Sequence, residues 1–419
     1  MKRIGFVSTR ISGTDGVTLE TYKWYQVLER NGYECYFFAG ELDVPTERAF
    51  LEPKAHFEHP EILELHQSCF GTQKREPQLT KHIQGLKDHL KSKLRKFCEE
   101  FGIEMLIPEN ALAIPMNIPL GMAITEFLAE TCMPAIAHHH DFSWERNRFL
   151  INAVQDYLQY AFPPNLQCMR HVVINSEASR QLSYRKGISN VIIHNVFDFE
   201  NPPPLSNSKS RMLRKELGFS DEDLFILQPT RIVPRKWIER AVELASLLGM
   251  EHPRVVIPHE SGDEGDLYAL RVLEYARRLG VEVLYIGDQV GSIHGFSREC
   301  KKKYTIDDAY QAADIVTYPS GYEGFGNAFV EAIYFKKPIV VNRYSIFVED
   351  IEPCGFDVID FESFVTRHLV ERLRTFMEPK NMSASVEKNY QLGRKFFSYE
   401  VLERKLLSAI SSFSYLKKP

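Results

Sequence analysis

Short apolar runs alternate with longer amphipathic stretches along most of this chain. Residues 3–8 are apolar enough for a buried strand, residues 17–31 carry apolar positions at helical spacing up to Gly32, and residues 34–39 are strand-like again. A strand–helix–strand succession of this kind implies a parallel sheet. The alternation continues with strands over 105–108, up to His138, 172–175 and 191–194, and with a helix over 120–131. Residues 73–100 read as a long helical stretch broken only at Gly85, with Lys87, Lys91, Lys93 and Lys96 expected on a solvated face. A second series follows. Its strands fall at 224–228, 254–258, 281–286, 314–317 and 338–342, and its helices at 237–248, 265–279, 305–313 and 328–335, before a helical tail over 389–410. Between the two series, residues 200–210 hold Pro202, Pro203 and Pro204 among several serines, which marks a linker. The pattern predicts an α/β protein of two domains, residues 1–200 and 201–394.

Composition narrows the class. A chain of 419 residues is too long for one ordinary core. It is 44% apolar and 26% charged, as soluble globular proteins are, and 51 basic against 56 acidic residues give a net charge of −5. That balance offers no electrostatic footprint for nucleic acid. No apolar run approaches the roughly 20 residues that span a bilayer, and the amino terminus runs into a strand rather than a signal segment. Seven cysteines without CxxC or Cys/His zinc spacing imply reduced thiols in a cytoplasmic protein. Nothing in the sequence signals an oligomeric state.

Chemistry concentrates in the stretch from Tyr318 to Ala332, where an apolar strand enters a loop with Gly321, Gly324 and Gly326 and leaves it as a helix. A glycine-bearing loop feeding a helix N-terminus gathers backbone N–H groups and the positive end of the helix dipole, a natural anion site. Glu323 lies in the loop and Glu331 about one turn into the helix. Carboxylates beside a phosphate repel it unless they face the hydroxyls of an attached sugar, so the stretch reads as a nucleotide-sugar site. Arg231 and Lys236 bracket another strand-to-helix loop, where they serve either as a diphosphate clamp or as surface charges. The loop from Thr9 to Val17 lacks G-x-G-x-x-G, and its Gly16 either admits a ligand to the first helix or makes a tight connection. His138, His139, His140 and Asp141 close a strand, the end at which open α/β sheets bind ligands. Strand residues alternate faces, so at most two of the three histidines point one way. A metal site there would need ligands from elsewhere, and the preferred reading is a His–Asp pair contacting a polar ligand.

With Glu323-x7-Glu331, Arg231-x4-Lys236, the amino-terminal glycine loop, the His–Asp strand end and the tail Phe397-Ser398-Tyr399-Glu400 in this order, the chain resembles the retaining GT-B glycosyltransferases of family 4. That group includes sucrose-phosphate synthases and bacterial mannosyltransferases. The resemblance implies two Rossmann-like domains facing each other across a cleft, with a last helix, residues 395–419, crossing back onto the first domain. It implies a nucleoside diphosphate sugar on the carboxyl domain, a small-molecule acceptor on the amino domain, and no cofactor or metal. Carried over, Arg231 and Lys236 hold the diphosphate and Glu331 takes the ribose hydroxyls. Glu323 and the backbone of Phe325, Gly326, Asn327 and Ala328 face the sugar and β-phosphate. Gly16 lets phosphate approach the first helix, and His140 contacts the donor sugar. Arg10, His139, Asp141 and Arg146 are the acceptor-side candidates. The run from His139 to Arg146 is similar to that of members that make glycosylglycerate-type solutes, mannosylglucosylglycerate synthase among them, which suggests a small anionic acceptor. GDP-mannose and UDP-glucose are the expected donors. Three positions depart from the family pattern: Thr230 and Trp237 stand where glycines flank the Arg/Lys pair, and Asp15 stands before Gly16 in place of a glycine. Asp15 is expected to disfavour a phosphorylated acceptor, whereas Arg10, Arg146 and Arg148 favour an anion. The competing readings are a sugar-nucleotide epimerase of the same fold and a non-catalytic nucleotide-sugar-binding protein. The joint presence of both motifs favours transfer.

Overall fold

The computed structural model describes residues 2–13, 15–204, 207–220, 222–259, 266–291 and 302–413. Contacts divide the chain into two compact units. One holds the described residues up to His194 together with those from Leu402 to Phe413, and the other holds the described residues from Asn195 to Val401.

The first unit is built on seven strands: β1 (Arg3–Val7), β2 (Glu34–Ala39), β3 (Ala49–Leu51), β4 (Met105–Pro108), β5 (Ala135–His139), β6 (Met169–Val173) and β7 (Asn190–Ile192). They pair in the order β3-β2-β1-β4-β5-β6-β7, and every pairing is parallel. The order reverses beside β1, so the loops leaving β1 and β4 part to opposite sides and open a crevice at the strands' carboxyl ends. Helix Gly16–Arg30 follows β1. Asp15 caps it by accepting from the N–H groups of Val17 and Thr18, and its apolar stripe of Trp24, Val27 and Leu28 is buried.

The long helix is Pro77–Phe101, and it runs through Gly85 without a break. Lys96 is exposed as expected, but Lys87 and Lys91 face a neighbouring helix instead of solvent. Lys87 Nζ donates to both carboxylate oxygens of Glu126 at 2.8 Å, and Lys91 Nζ reaches Glu126 at 3.0 Å and Glu130 at 2.7 Å. Arg95 adds a contact to Glu130 at 3.1 Å. The acids lie on helix Ile118–Thr131, whose Leu120, Ala123, Ile124 and Phe127 pack with Leu90, Leu94 and Phe97. Apolar packing brings the two helices together and leaves their charged edges opposed.

The main sheet of the second unit has six strands: β8 (Ile226–Leu227), β9 (Arg254–Ile257), β10 (Glu282–Tyr285), β11 (Ile315–Tyr318), β12 (Ile339–Asn342) and β13 (Ile359–Phe361). Their order is β10-β9-β8-β11-β12-β13, again all parallel, with the reversal between β8 and β11. The predicted continuous tail is two helices, Pro379–Phe397 and Tyr399–Ser411, parted by Ser398 in extended conformation. The chain from Leu402 belongs to the first unit: Lys405 Nζ donates to the Ile192 carbonyl at 2.9 Å, and Arg170 Nε to Ser412 Oγ at 3.2 Å. The start of the predicted 265–279 helix, Gly265, lies outside the described residues; the rest forms Asp266–Arg278.

Candidate functional site

In the second unit the two motif loops leave β8 and β11, the adjacent strands at the order reversal, so topology alone places them side by side. Lys236 ends a short 3-10 turn, Pro234–Lys236, and lies 7% exposed. Its ammonium pairs with Glu323 Oε1, and Arg235 Nη1 holds Glu323 Oε2 at 3.0 Å and the Tyr322 carbonyl at 3.2 Å. Burial by itself would push the Glu323 carboxyl up, but the Lys236 and Arg235 charges outweigh it and hold the group below the ordinary carboxylate range. Burial pushes the Lys236 ammonium down, opposed by Glu323 and aided by the Arg235 and Arg231 charges. Arg231 is exposed at the mouth of the same loop. His259 stands just past β9 with a hydrogen bond to the Pro229 backbone; burial, then the Lys236 and Arg231 charges, push it down to about 4.

Gly326 precedes helix Asn327–Tyr334, which no side chain caps. Its φ is +141°, and a Cβ there would lie 2.4 Å from Tyr344 Oη, the hydroxyl that donates to the Phe325 carbonyl at 2.8 Å. Only glycine lets the loop turn this closely under Tyr344. Phe325 and Ala328 are buried, and the Asn327 amide oxygen accepts from Asn195 Nδ2 at 2.8 Å. Glu331 is half-buried on the first turns of the helix, with Tyr310 Oη donating to Oε2 at 2.7 Å. Asn342 Nδ2 bonds the Ser320 carbonyl at 2.9 Å and pins the loop's other end.

In the first unit the loops after β1, β4 and β5 gather the remaining candidates. Gly16 opens the first helix with nothing within 4 Å of where its Cβ would be, and Arg10 pairs with Asp15 at 3.2 Å. Glu109 is fully buried and receives His138 Nδ1 at 2.9 Å; His140 Nε2 stands 3.7 Å from the same oxygen. Asn110 joins the two strand ends, accepting from the His140 N–H at 3.0 Å and donating to Asp141 Oδ1 at 3.0 Å. Arg146 Nε closes the other side of Asp141 at 2.7 Å. His139 points to the opposite face of β5, where its Nε2 meets His171 Nδ1 at 2.9 Å. It therefore lies apart from His140 and Asp141. Burial pushes His138 down to about 3 and His171 to about 4, and pushes Glu109 up to about 7. One ligand atom each from Glu109, His138 and His140 lies within 4.8 Å of the others. The ligand from elsewhere that a histidine metal site requires is thus Glu109.

Residues 209–391 match the family model "Glycosyl transferases group 1". The mannosylglucosylglycerate synthase of Thermotoga maritima is 30% identical over 96% of this chain and 98% of its own length. The chain belongs to the group 1 glycosyltransferases, in the family of that synthase. A second mannosylglucosylglycerate synthase, from Petrotoga mobilis, is 31% identical over 86% of each chain. The crystal structure of a glycosyltransferase from Rickettsia africae superposes with a TM-score of 0.69, covering 100% of this chain and 99% of that one at 14% identity, a likeness of fold, which is GT-B. No helix among the described residues is long and apolar enough to cross a membrane.

For a group 1 glycosyltransferase, the three departures from the pattern now have local reasons. Trp237 adopts φ +46°, ψ 45°, the left-handed conformation that glycine takes without strain, and its indole lies where a Cβ on Gly321 would come within 2.5 Å. The tryptophan thus keeps the glycine's backbone and fills the space against the motif loop. Thr230 is buried and accepts from Gln228 Nε2 at 2.8 Å, while Gln228 Oε1 accepts from Thr317 Oγ1 at 2.7 Å, tying β8 to β11. Asp15 is engaged by Arg10 and by the helix N–H groups, so its charge is largely offset. The residues missed from sequence are Arg235, His259, Tyr310 and Glu109. Glu109 and His259 each follow an apolar strand directly, a position that signals a ligand-facing end. Arg235 and Tyr310 carry no such mark.

Proposed function

We propose that this glycosyltransferase moves a hexosyl group from GDP-mannose or UDP-glucose to a small anionic acceptor, with retention of anomeric configuration and with no metal at the diphosphate. The observation that carries this is the cation cluster of Lys236, Arg235 and Arg231 at the strand-order reversal, beside an uncapped helix N-terminus. In such a transfer the bond from the anomeric carbon to the phosphate oxygen breaks and a bond to the acceptor oxygen forms on the same face. The acceptor proton passes to the departing phosphate. Charge accumulates on the diphosphate in an oxocarbenium-like transition state, and preorganised cations aimed at it lower the barrier.

Lys236 and Arg231 take the diphosphate in this reading, and the backbone from Phe325 to Ala328 takes the β-phosphate. Glu331 receives the ribose hydroxyls, held in place by Tyr310. Glu323 orients both Lys236 and Arg235 and faces the sugar. His140 keeps the sugar-binding role that the family resemblance implies. The names of the two relatives describe a product containing glycerate, so an acceptor bearing a carboxylate follows, with Arg10 and Arg146 as its cations. Unpaired thiols at the six described cysteines support a cytoplasmic setting.

The test is a thermal-shift screen of the two donors, followed by product analysis with glycerate and glucosylglycerate and by NMR assignment of the new anomeric centre. Lys236→Ala and Arg231→Ala should each lower kcat/KM by on the order of 10²-fold. Near-normal rates in both, or an inverted product, overturn the reading.

A further inference from the structure

The first unit contains a set of buried donors that the transfer reading leaves largely unused. Glu109 follows β4, and His138 and His140 share one face at the end of β5. Their ligand atoms already lie within 4.8 Å of one another. Glu109 Oε1, His138 Nε2 and His140 Nε2 are nevertheless buried without a hydrogen-bond partner. An unpaired buried polar atom costs about 1–3 kcal/mol, and His140 Nε2, 3.7 Å from Glu109 Oε2, is the one that stands beside the other donors. Glu20, 1% exposed on the first helix, lies close enough for its charge to act on both Glu109 and His138. Lys23 is its partner at 2.5 Å, while the pocket's second carboxylate, Glu109, pairs with the two imidazoles. Trp24 closes one side, its ring stacked on His138 at 4.2 Å between centroids.

We propose that Glu109, His138 and His140 bind one divalent transition-metal ion of the zinc class. Two neutral imidazoles and a carboxylate are the donor set that such borderline ions take, whereas magnesium and calcium select all-oxygen shells. Donors on a tetrahedral ion at about 2.0–2.2 Å stand roughly 3.3 Å apart. The separations of 2.9 and 3.7 Å around Glu109 Oε2 bracket that value, so small side-chain adjustments admit the ion. The ion is a positioning element: it locks His140 and the strand end that carries Asp141. It takes no part in neutralising the leaving group, which falls to the cations of the second unit. Metal binding is read without donor or acceptor present, so its failure is distinguishable from failure of those assignments.

The test uses the full chain, stripped with a chelator, desalted and titrated with Co²⁺, with Zn²⁺ as competitor. One equivalent of cobalt per chain should bind with a visible ligand-field band and be displaced by zinc, and zinc should raise the Tm of the stripped protein. Glu109→Gln and His140→Asn should each weaken cobalt binding by at least about 10-fold, the effect that even outer-sphere partners of a metal ligand carry. His139→Asn, altered on the opposite face, should still bind one equivalent. Comparing each stripped variant's Tm with that of the stripped wild type separates lost binding from lost folding. Wild type that takes up no stoichiometric metal, wild-type affinity in Glu109→Gln, or a near-ultraviolet cobalt–thiolate band placing the ion on cysteine would each overturn the proposal.

Discussion

Replacing Lys236 by methionine removes one charge from a pair that is almost fully withdrawn from solvent. The Lys236 and Glu323 side chains are 9% and 8% exposed. Methionine keeps most of the lysine's volume, so the change isolates the charge. Glu323 would then remain buried with Arg235 as its remaining cation, a guanidinium 38% exposed and bonded at 3.0 Å. Removing one partner of a buried pair costs about 3–5 kcal/mol because the other charge stays desolvated. Arg235 retains part of the compensation, which places the expected loss near the lower end, about 3 kcal/mol. In a unit of this size each kcal/mol moves Tm by roughly 2–4 °C, so the second unit's transition should fall by roughly 6–12 °C. Two compact units need not melt together, so calorimetry with resolved transitions is the suitable assay. The double variant Lys236→Met with Glu323→Gln leaves no uncompensated carboxylate and should melt above the Lys236→Met single variant. Arg235→Met, altered at an exposed partner, should cost at most about 1 kcal/mol. A Lys236→Met protein that melts within about 2 °C of wild type, or a double variant that loses the sum of the two single losses, refutes the buried-pair account.

Gly326→Ala should lower both Tm and nucleotide affinity, because the new methyl meets Tyr344 Oη at 2.4 Å at a φ of +141°. Adding Tyr344→Phe should recover part of the loss by removing the clash, and calorimetric titration with GDP or UDP measures both. Glu331→Ala should weaken nucleotide binding by about 1–3 kcal/mol, and Tyr310→Phe, which removes only the hydroxyl holding Glu331, by about 1 kcal/mol. Unchanged affinity in Glu331→Ala would take it out of the site. Acidification should destabilise the protein. Burial holds His66, His171 and His259 down at about 4 against an ordinary 6.5, so the unfolded chain binds more protons between those values and stability rises with pH across that window. His171 costs roughly 3 kcal/mol by pH 4 and the partly exposed His66 less, while Glu109, held up near 7, acts oppositely with about the weight of His171. A Tm that stays level or rises from pH 7 to pH 4 contradicts these assignments.

The hydrophobic pattern by itself determined where most elements lie and that both sheets are parallel, because buried strands and amphipathic helices are local regularities. It marked β2 and β4 to the residue and the helix after Gly326 to within one. The three-residue edge strands Ala49–Leu51 and Ile359–Phe361 escaped it, since so short a run carries no period. The chain order of Arg231, Lys236, Glu323 and Glu331 was also legible, and through the resemblance it carries so was the glycosyltransferase class. Pairing was not. That Arg235 joins Lys236 on Glu323, that Tyr310 holds Glu331, and that Lys87 and Lys91 of the long helix face Glu126 and Glu130 all depend on residues tens of positions apart meeting through the order of strands and the packing of helices. The alternation of β5 limited to two the histidines that share a face, and the sheet then chose His138 and His140 and set Glu109 between them. A residue type and its spacing state what a side chain is able to do. Only the fold decides which charge it meets, and with what water removed.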